Sequence, residues 1–281
     1  MLVMSGISAA FRVLIFVVWT LAMLLPYLVA LAIGVGYRPI GALYWRVVVA
    51  VVFLARVVVH GTLEYTRPLI LVGNHSSYVD IAVMGSLIHG SFVAKAEVRS
   101  WPGLGFLAVI ARTVFVDRKR SAVTQHRDQI ANRLADGEPL ILFPEGTTSN
   151  GNKVLPFKSA LFNVAENSGS DNPLYIQPFA IAYTRAGGLP MGLAQRPYYA
   201  WVGDEELVPH LWELLKRGSF TVEVGFLPAV SNEDFLSRKA LASFCEAEVR
   251  RGLVGLLTGR ERQRTELPPL PLGRMPIDPL R

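Results

Sequence analysis

The sequence predicts an α/β protein: a layered, mostly parallel sheet flanked by helices, behind an N-terminal hydrophobic helical segment. Three observations predict it. An uncharged apolar run lies between Arg12 and Arg38. Beyond residue 60, short apolar runs of strand length alternate with longer helix-like segments, the pattern of parallel sheets with covering helices. Two of the strand-like runs end in polar turns rich in small residues, where open α/β sheets carry their functional groups.

Residues 13–37 contain no charge. About 20 apolar residues take a helix across a hydrocarbon core ~30 Å thick, so this run suffices for a membrane anchor. Pro26 falls within it, where a membrane helix tolerates a kink. Trp19 and Tyr37 are candidate aromatic anchors, Tyr37 the better placed at the end of the run. The rival is a secretory signal peptide. Its apolar core is roughly 7–15 residues long and precedes a small-residue cleavage site, and GVGYRPIG is a poor one.

A second apolar run, 47–59, is interrupted by Arg56 and is too short to span. It fits an interfacial helix with Trp45, Arg46 and Arg56 near the headgroups. A buried helix of the following domain fits as well. Residues 1–60 are therefore assigned to a membrane anchor: one spanning or hairpin helical segment plus the interfacial helix. Arg38, Arg46 and Arg56 follow the apolar run and only Arg12 precedes it. By the positive-inside rule the following domain faces the cytoplasm, on the inner membrane.

Residues 61–260 form the α/β domain. Strand-like runs fall at 68–72, 91–94, 113–116, 140–143, 174–182 and 220–226. Helix-like segments fall at 79–88, 103–111, 122–135, 158–167 and 205–216. Residues 261–281 are Pro-rich and hold little that packs, so they are expected to be a disordered tail.

The chain has 281 residues and a formal net charge of +6. No nucleic-acid-binding motif accompanies that charge, so no nucleic acid partner is expected. Beside an apolar N-terminus the charge suits anionic lipid headgroups. One cysteine, Cys245, excludes an internal disulfide and is expected to be a buried, inert thiol.

The chemistry lies in two turns and a basic cluster. The run PLILVG leads into Asn74-His75-Ser76-Ser77-Tyr78-Val79-Asp80. A neutral histidine is a base near pH 7. A carboxylate behind its ring fixes the tautomer and stabilises the imidazolium. Such a dyad can take a proton from an alcohol attacking an acyl carbon. Spacing alone is weak, because a turn histidine followed by a helix-start Asp is common.

The run PLILF leads into Pro144-Glu145-Gly146-Thr147-Thr148-Ser149. Here Gly146 permits close backbone approach, and N–H groups with the three hydroxyls can hold an oxygen-rich headgroup or an oxyanion. Asp117-Arg118-Lys119-Arg120 follows another strand-like run, and arginine binds anions bidentately.

Together these motifs resemble the lysophosphatidate acyltransferase family, the PlsC-type glycerolipid acyltransferases. NHSSYVD resembles the family's NHxxxxD box, FVDR its second box, FPEGTTS its FPEGTRS box, and IQPFAIAY its fourth box around a proline. Lys95-Ala96-Glu97 with Pro102 and Gly105 resembles its K-x-E-x4-P-x2-G segment. Pro156-Phe157-Lys158 resembles its PFK. Order and spacing agree over about residues 62–230.

The resemblance implies that His75 is the catalytic base and Asp80 orients it. It places Arg118, Glu145 and Gly146 in the acceptor pocket, beside Thr147, Thr148 and Lys158 as further substrate-binding candidates. It implies a direct acyl transfer from acyl-CoA or acyl-carrier protein to a lysolipid acceptor, with no metal and no organic cofactor. It also implies an N-terminal helical pair dipping into one leaflet of the bilayer. The leading expectation is transfer to the sn-2 hydroxyl of lysophosphatidate, making phosphatidate.

One departure bears on this. Thr148 stands where the family often has an Arg that holds the acceptor phosphate. SALF and AWVGDEELVPHLW resemble proteobacterial members that acylate lyso-ornithine lipid, which is the alternative acceptor. A thioesterase using the same dyad on water, and a non-catalytic membrane-tethered lipid-binding scaffold, are the rival classes.

Overall fold

A computed structural model of the chain describes residues 6–101, 103–116, 123–163, 173–203 and 205–260. Asp117, Arg118, Lys119 and Arg120, Pro102, and the tail 261–281 lie outside these residues.

The first helix, α1 (Gly6–Ala32), takes up most of the apolar run and carries Pro26 inside it. It is long and apolar enough to cross a membrane, and Phe11, Leu14, Val18, Leu21 and Leu25 are exposed on its surface. Gly34 and Gly36, both at positive φ, turn the chain back into α2 (Tyr37–Val47). The two helices pair as a hairpin. Trp19 Nε1 donates to the Tyr44 carbonyl at 3.3 Å, and the Thr20 and Tyr44 hydroxyls lie 3.0 Å apart. Arg12, expected to flank the apolar run, is instead 4% exposed and donates to the Val52 carbonyl.

Residues 47–59 divide between the two states. Their first half is helical and buried, as one reading had it, and their second half is a strand, which neither reading had. A π-helical turn, Val48–Val52, leads into strand β1 (Ala55–His60). Consecutive β-branched valines favour the extended chain. The partner strand is supplied from far along the sequence, with Val57 opposite Val222. His60 Nε2 meets Glu223 Oε2 at 2.8 Å, and Thr184 donates to the other oxygen, pinning this edge strand.

The remaining elements are β2 (Leu69–Gly73), α3 (Val79–Leu87), β3 (Ser91–Lys95), α4 (Leu104–Ile110), β4 (Val114–Val116), α5 (Val123–Ala135), β5 (Leu140–Leu142), β6 (Tyr175–Ala186), β7 (Leu189–Pro190), α6 (Leu207–Lys216), β8 (Phe220–Phe226), β9 (Val230–Ser231) and α7 (Arg238–Thr258). The expected helix at 158–167 is a 3-10 turn, Ser159–Phe162, over its described part. The sheet runs β1-β8-β6-β2-β5-β3-β4, with β7 and β9 on β6. Its pairings are parallel except those of β6 with β7, β8 and β9. The sheet is thus mostly parallel, as expected.

Both faces are covered, which is why LILVG in β2 is buried throughout. Leu69 and Leu71 pack with α3 and the end of α6, whereas Ile70 and Val72 pack with α5 and α7. Cys245 lies in the second layer, fully buried, and burial pushes its thiol up to about 12. Its burial is as read.

Candidate active site

Strand order brings the two polar turns together. β2 pairs in parallel with both β5 and β6, so all three carboxyl ends open on one edge. The NHSSYVD turn leaves β2 there, and the FPEGTTS turn leaves β5 beside it. Gly73 closes β2 because a Cβ would lie 2.4 Å from the Phe179 ring. Next, Asn74 extends the ladder with its side chain, donating to the Ile181 carbonyl and accepting from the Ile181 N–H, both at 2.9 Å.

His75 Nδ1 meets Asp80 Oδ2 at 2.9 Å. Asp80 is fully buried in the first turn of α3, where the helix dipole favours a negative charge. The same Oδ2 accepts from the Ser76 and Ser77 N–H groups, and Oδ1 accepts from the Tyr183 hydroxyl at 2.7 Å. Burial raises the Tyr183 phenol well above its ordinary value, with the Asp80 charge adding to it, so it remains a donor. A carboxylate that accepts from every neighbour also requires the imidazole proton on Nδ1. That leaves the Nε2 lone pair as the base. The imidazole stacks on Phe143, with ring centroids 4.2 Å apart.

The FPEGTTS turn holds the histidine backbone from the other side. The His75 N–H donates to Glu145 Oε1 at 3.1 Å, and the His75 carbonyl accepts from the Ser149 N–H at 2.8 Å. Glu145 is 1% exposed, and burial pushes its carboxyl up to about 8 against the opposing pull of the His75 amide. It sits behind His75 as a support. Lys158 folds over Gly146, where φ is +63°, and a Cβ there would fall 2.7 Å from its Nζ. Thr147 is exposed. Thr148 is half-buried, and its hydroxyl donates to the Trp201 carbonyl.

Of the site residues expected from sequence, the structure therefore gathers His75, Asp80, Glu145, Gly146, Thr148 and Lys158 at one sheet edge. Thr147 is on the same turn, and Arg118 lies outside the described residues. Sequence reasoning missed Tyr183, although it ends the IQPFAIAY box, and Phe143, which opens the FPEGTTS box. It also missed Arg196, buried, which donates to the Tyr183 and Met191 carbonyls. Nothing in the sequence around Arg196 marked it.

An apolar cavity of about 370 Å³ lies beside this edge. Its wall includes Phe16 and Tyr27 of α1, Trp45 of α2, and Tyr78, Ile81 and Gly85 along α3. Tyr78 follows β2 at the carboxyl edge, and Glu138, at the other end of the lining, precedes β5 at the amino edge. The cavity therefore runs the height of the sheet, between the helical hairpin and α3. Glu138 is paired there with Arg112 at 3.0 Å. Among the described residues no cluster of His, Cys, Asp or Glu could hold a metal ion.

A half-buried histidine paired with a buried aspartate at the carboxyl edge of a sheet, with an apolar cavity nearby, fits a transferase or hydrolase working on an acyl chain. Comparison with known proteins decides between these. The acyltransferase family profile matches residues 56–182. The chain is 42% identical to a lyso-ornithine lipid O-acyltransferase of Rhizobium meliloti (strain 1021), over 81% of this chain and 80% of that protein. It is 46% identical to one of Brucella abortus (strain 2308), over 78% and 83%. It is 32% identical to a 1-acyl-sn-glycerol-3-phosphate acyltransferase of Neisseria gonorrhoeae, over 66% and 70%. The crystal structure of the 1-acyl-sn-glycerophosphate acyltransferase PlsC from Thermotoga maritima shares the fold, with a TM-score of 0.59 at 23% identity, covering 88% of this chain and 97% of that one. The chain belongs to the acyltransferase family, and it is an enzyme that transfers acyl groups other than aminoacyl groups.

Proposed function

We propose that this enzyme moves a fatty acyl group from a thioester donor, acyl-CoA or acyl-carrier protein, to the hydroxyl of a lyso-ornithine lipid. His75 Nε2 takes the hydroxyl proton as the oxygen attacks the thioester carbonyl. The tetrahedral intermediate collapses, and the imidazolium returns the proton to the departing thiolate. Asp80 stabilises the imidazolium while the charge is present. The apolar cavity takes an acyl chain and keeps water from the donor carbonyl, which favours transfer over hydrolysis.

The observation that carries the choice of acceptor is Thr148. A cation at that position would suit a phosphate. Here the residue is neutral, and its hydroxyl is committed to the Trp201 carbonyl. The relatives named for lyso-ornithine lipid match more of this chain at higher identity than the Neisseria relative named for the glycerol phosphate. Lysophosphatidate is the second reading, favoured by Lys158 folded over Gly146. The apolar face of α1 inserts into the inner membrane, and Arg38 and Arg46 keep the catalytic domain on the cytoplasmic side.

The test is acceptor choice by the detergent-purified chain, given a labelled acyl thioester. Greater kcat/KM with lyso-ornithine lipid than with lysophosphatidate supports the reading, and the reverse order assigns the enzyme to phosphatidate synthesis.

A further inference from the structure

An aromatic cluster borders the site, and two of its rings, Tyr78 and Trp101, also line the apolar cavity. Trp101 and Trp201 meet edge to face, with centroids 5.8 Å apart at 88°. Trp201 also meets Tyr78 at 6.0 Å, and Tyr78 meets His210 at 5.7 Å. Both tryptophans are half-buried.

Trp201 is held on every side. Its N–H donates at 2.8 Å to the carbonyl of Ser76, the residue after His75. Its carbonyl accepts from Thr148, and its indole Nε1 donates to the Glu205 carbonyl at 2.8 Å. One residue thereby ties together the NHSSYVD turn, the EGTTS turn and the loop before α6. Thr148 thereby fixes the Trp201 backbone beside the NHSSYVD turn.

A carboxylate accompanies the rings. Glu205 Oε2 lies 3.8 Å from His210 Nε2, and His210 Nδ1 lies 3.0 Å from the Tyr78 hydroxyl. The Glu205 side chain is 56% exposed, so the carboxylate has room for a second partner. Burial lowers the pKa of His210, which leaves that carboxylate without a full positive charge beside it at neutral pH. The nearby Arg217 guanidinium lies over the Tyr198 ring at 4.4 Å.

Indole and phenol rings attract a cation through their π faces, tryptophan most strongly. Rings with an exposed carboxylate beside them and a neutral Thr148 make a poor phosphate site and a good ammonium site. We propose that Trp101, Trp201 and Tyr78, with the Glu205 carboxylate, receive a primary ammonium on the headgroup of the acceptor lysolipid. This rests on the lyso-ornithine reading, since ornithine carries a primary amine on its side chain.

The test compares lyso-ornithine lipid with the same lipid acetylated on its side-chain amine, using the purified full chain. Wild type is expected to show a KM about tenfold higher for the acetylated acceptor at similar kcat, the effect of a partly desolvated cation–π contact. Glu205→Gln is expected to raise KM for the free amine and leave the acetylated acceptor unchanged. Trp201→Phe keeps a π face and is expected to retain most of the discrimination. Equal KM for the two acceptors in wild type, with turnover intact, would overturn the ammonium site and leave the acceptor reading standing.

Binding is read separately, from tryptophan fluorescence titrated with Nα-decanoyl-ornithine and its acetylated form. Preferential binding of the free amine without acylation of lyso-ornithine lipid would keep the ammonium site and discard the acceptor reading. Neither turnover nor binding preference would discard both.

Discussion

The Tyr183 hydroxyl donates to Asp80 Oδ1 at 2.7 Å, joining residues 103 positions apart inside the core. Asp80 Oδ2 is already filled by the Ser76 and Ser77 amides and the imidazole. Tyr183→Phe removes the one donor to Oδ1 among the described residues and leaves a buried carboxylate oxygen unsatisfied. We expect a loss of about 1–3 kcal/mol in stability. A fall in kcat should accompany it, with KM for the acceptor little changed. Chemical denaturation and steady-state kinetics on the same preparation check both.

Asp80→Asn tests the tautomer. An amide has one acceptor oxygen, so it cannot satisfy the Ser76 and Ser77 N–H groups and the imidazole in the same way. If its oxygen stays on the two amides, its NH₂ faces the Tyr183 donor, and the hold on the His75 Nδ1 proton weakens. We expect kcat to fall by about 10³–10⁴, the scale seen when a histidine base loses its orienting carboxylate. A circular dichroism spectrum close to wild type would assign the loss to chemistry.

Glu145 gives the fold a pH dependence. Burial raises its folded-state pKa from an ordinary 4.5 to about 8, so the folded chain holds a proton that the unfolded chain has released over that interval. The contribution to stability is complete below the unfolded value and is lost as pH rises toward the folded one. Tm should therefore decline between about pH 5 and pH 8 in wild type. Glu145→Gln keeps an acceptor for the His75 N–H and carries no proton to lose, so its Tm should be flatter over the same range. A thermal melt series in pH decides it.

Gly85 sits on α3 against the cavity, and a Cβ there would come within 2.5 Å of Trp45 Cδ1. Gly85→Ala must displace that indole, which also lines the cavity. We expect preference to move toward shorter acyl donors, read as kcat/KM across a chain-length series.

The sheet was legible because its strands announce themselves locally. PLILVG and PLILF are short apolar runs bounded by turn residues. The strand within residues 47–59 was not legible. Valines broken by one arginine fit a helix face as well as a strand, and only pairing with β8, more than 160 residues later, settles them. The His75–Asp80 pair was legible as chemistry, since both residues share one turn. Tyr183 was not, because its contact depends on the β2–β6 register. Glu145 could be read as belonging to the site, but not as facing the His75 backbone. Arg12 looked like a charge at the edge of an apolar run, and the folded hairpin buries it on Val52.

The most direct measurement follows a labelled acyl thioester and lyso-ornithine lipid in wild type and His75→Ala, separating acylated lipid from free fatty acid. His75→Ala keeps the backbone bonds to Glu145 and Ser149, so the chain should remain folded. We expect wild type to make acylated lipid with little free acid, and the variant to lose about 10²–10⁴ of that rate, the usual contribution of a general base. Equal rates of lipid acylation in the two proteins would contradict His75 as the base. Free acid as the main wild-type product would contradict transfer itself.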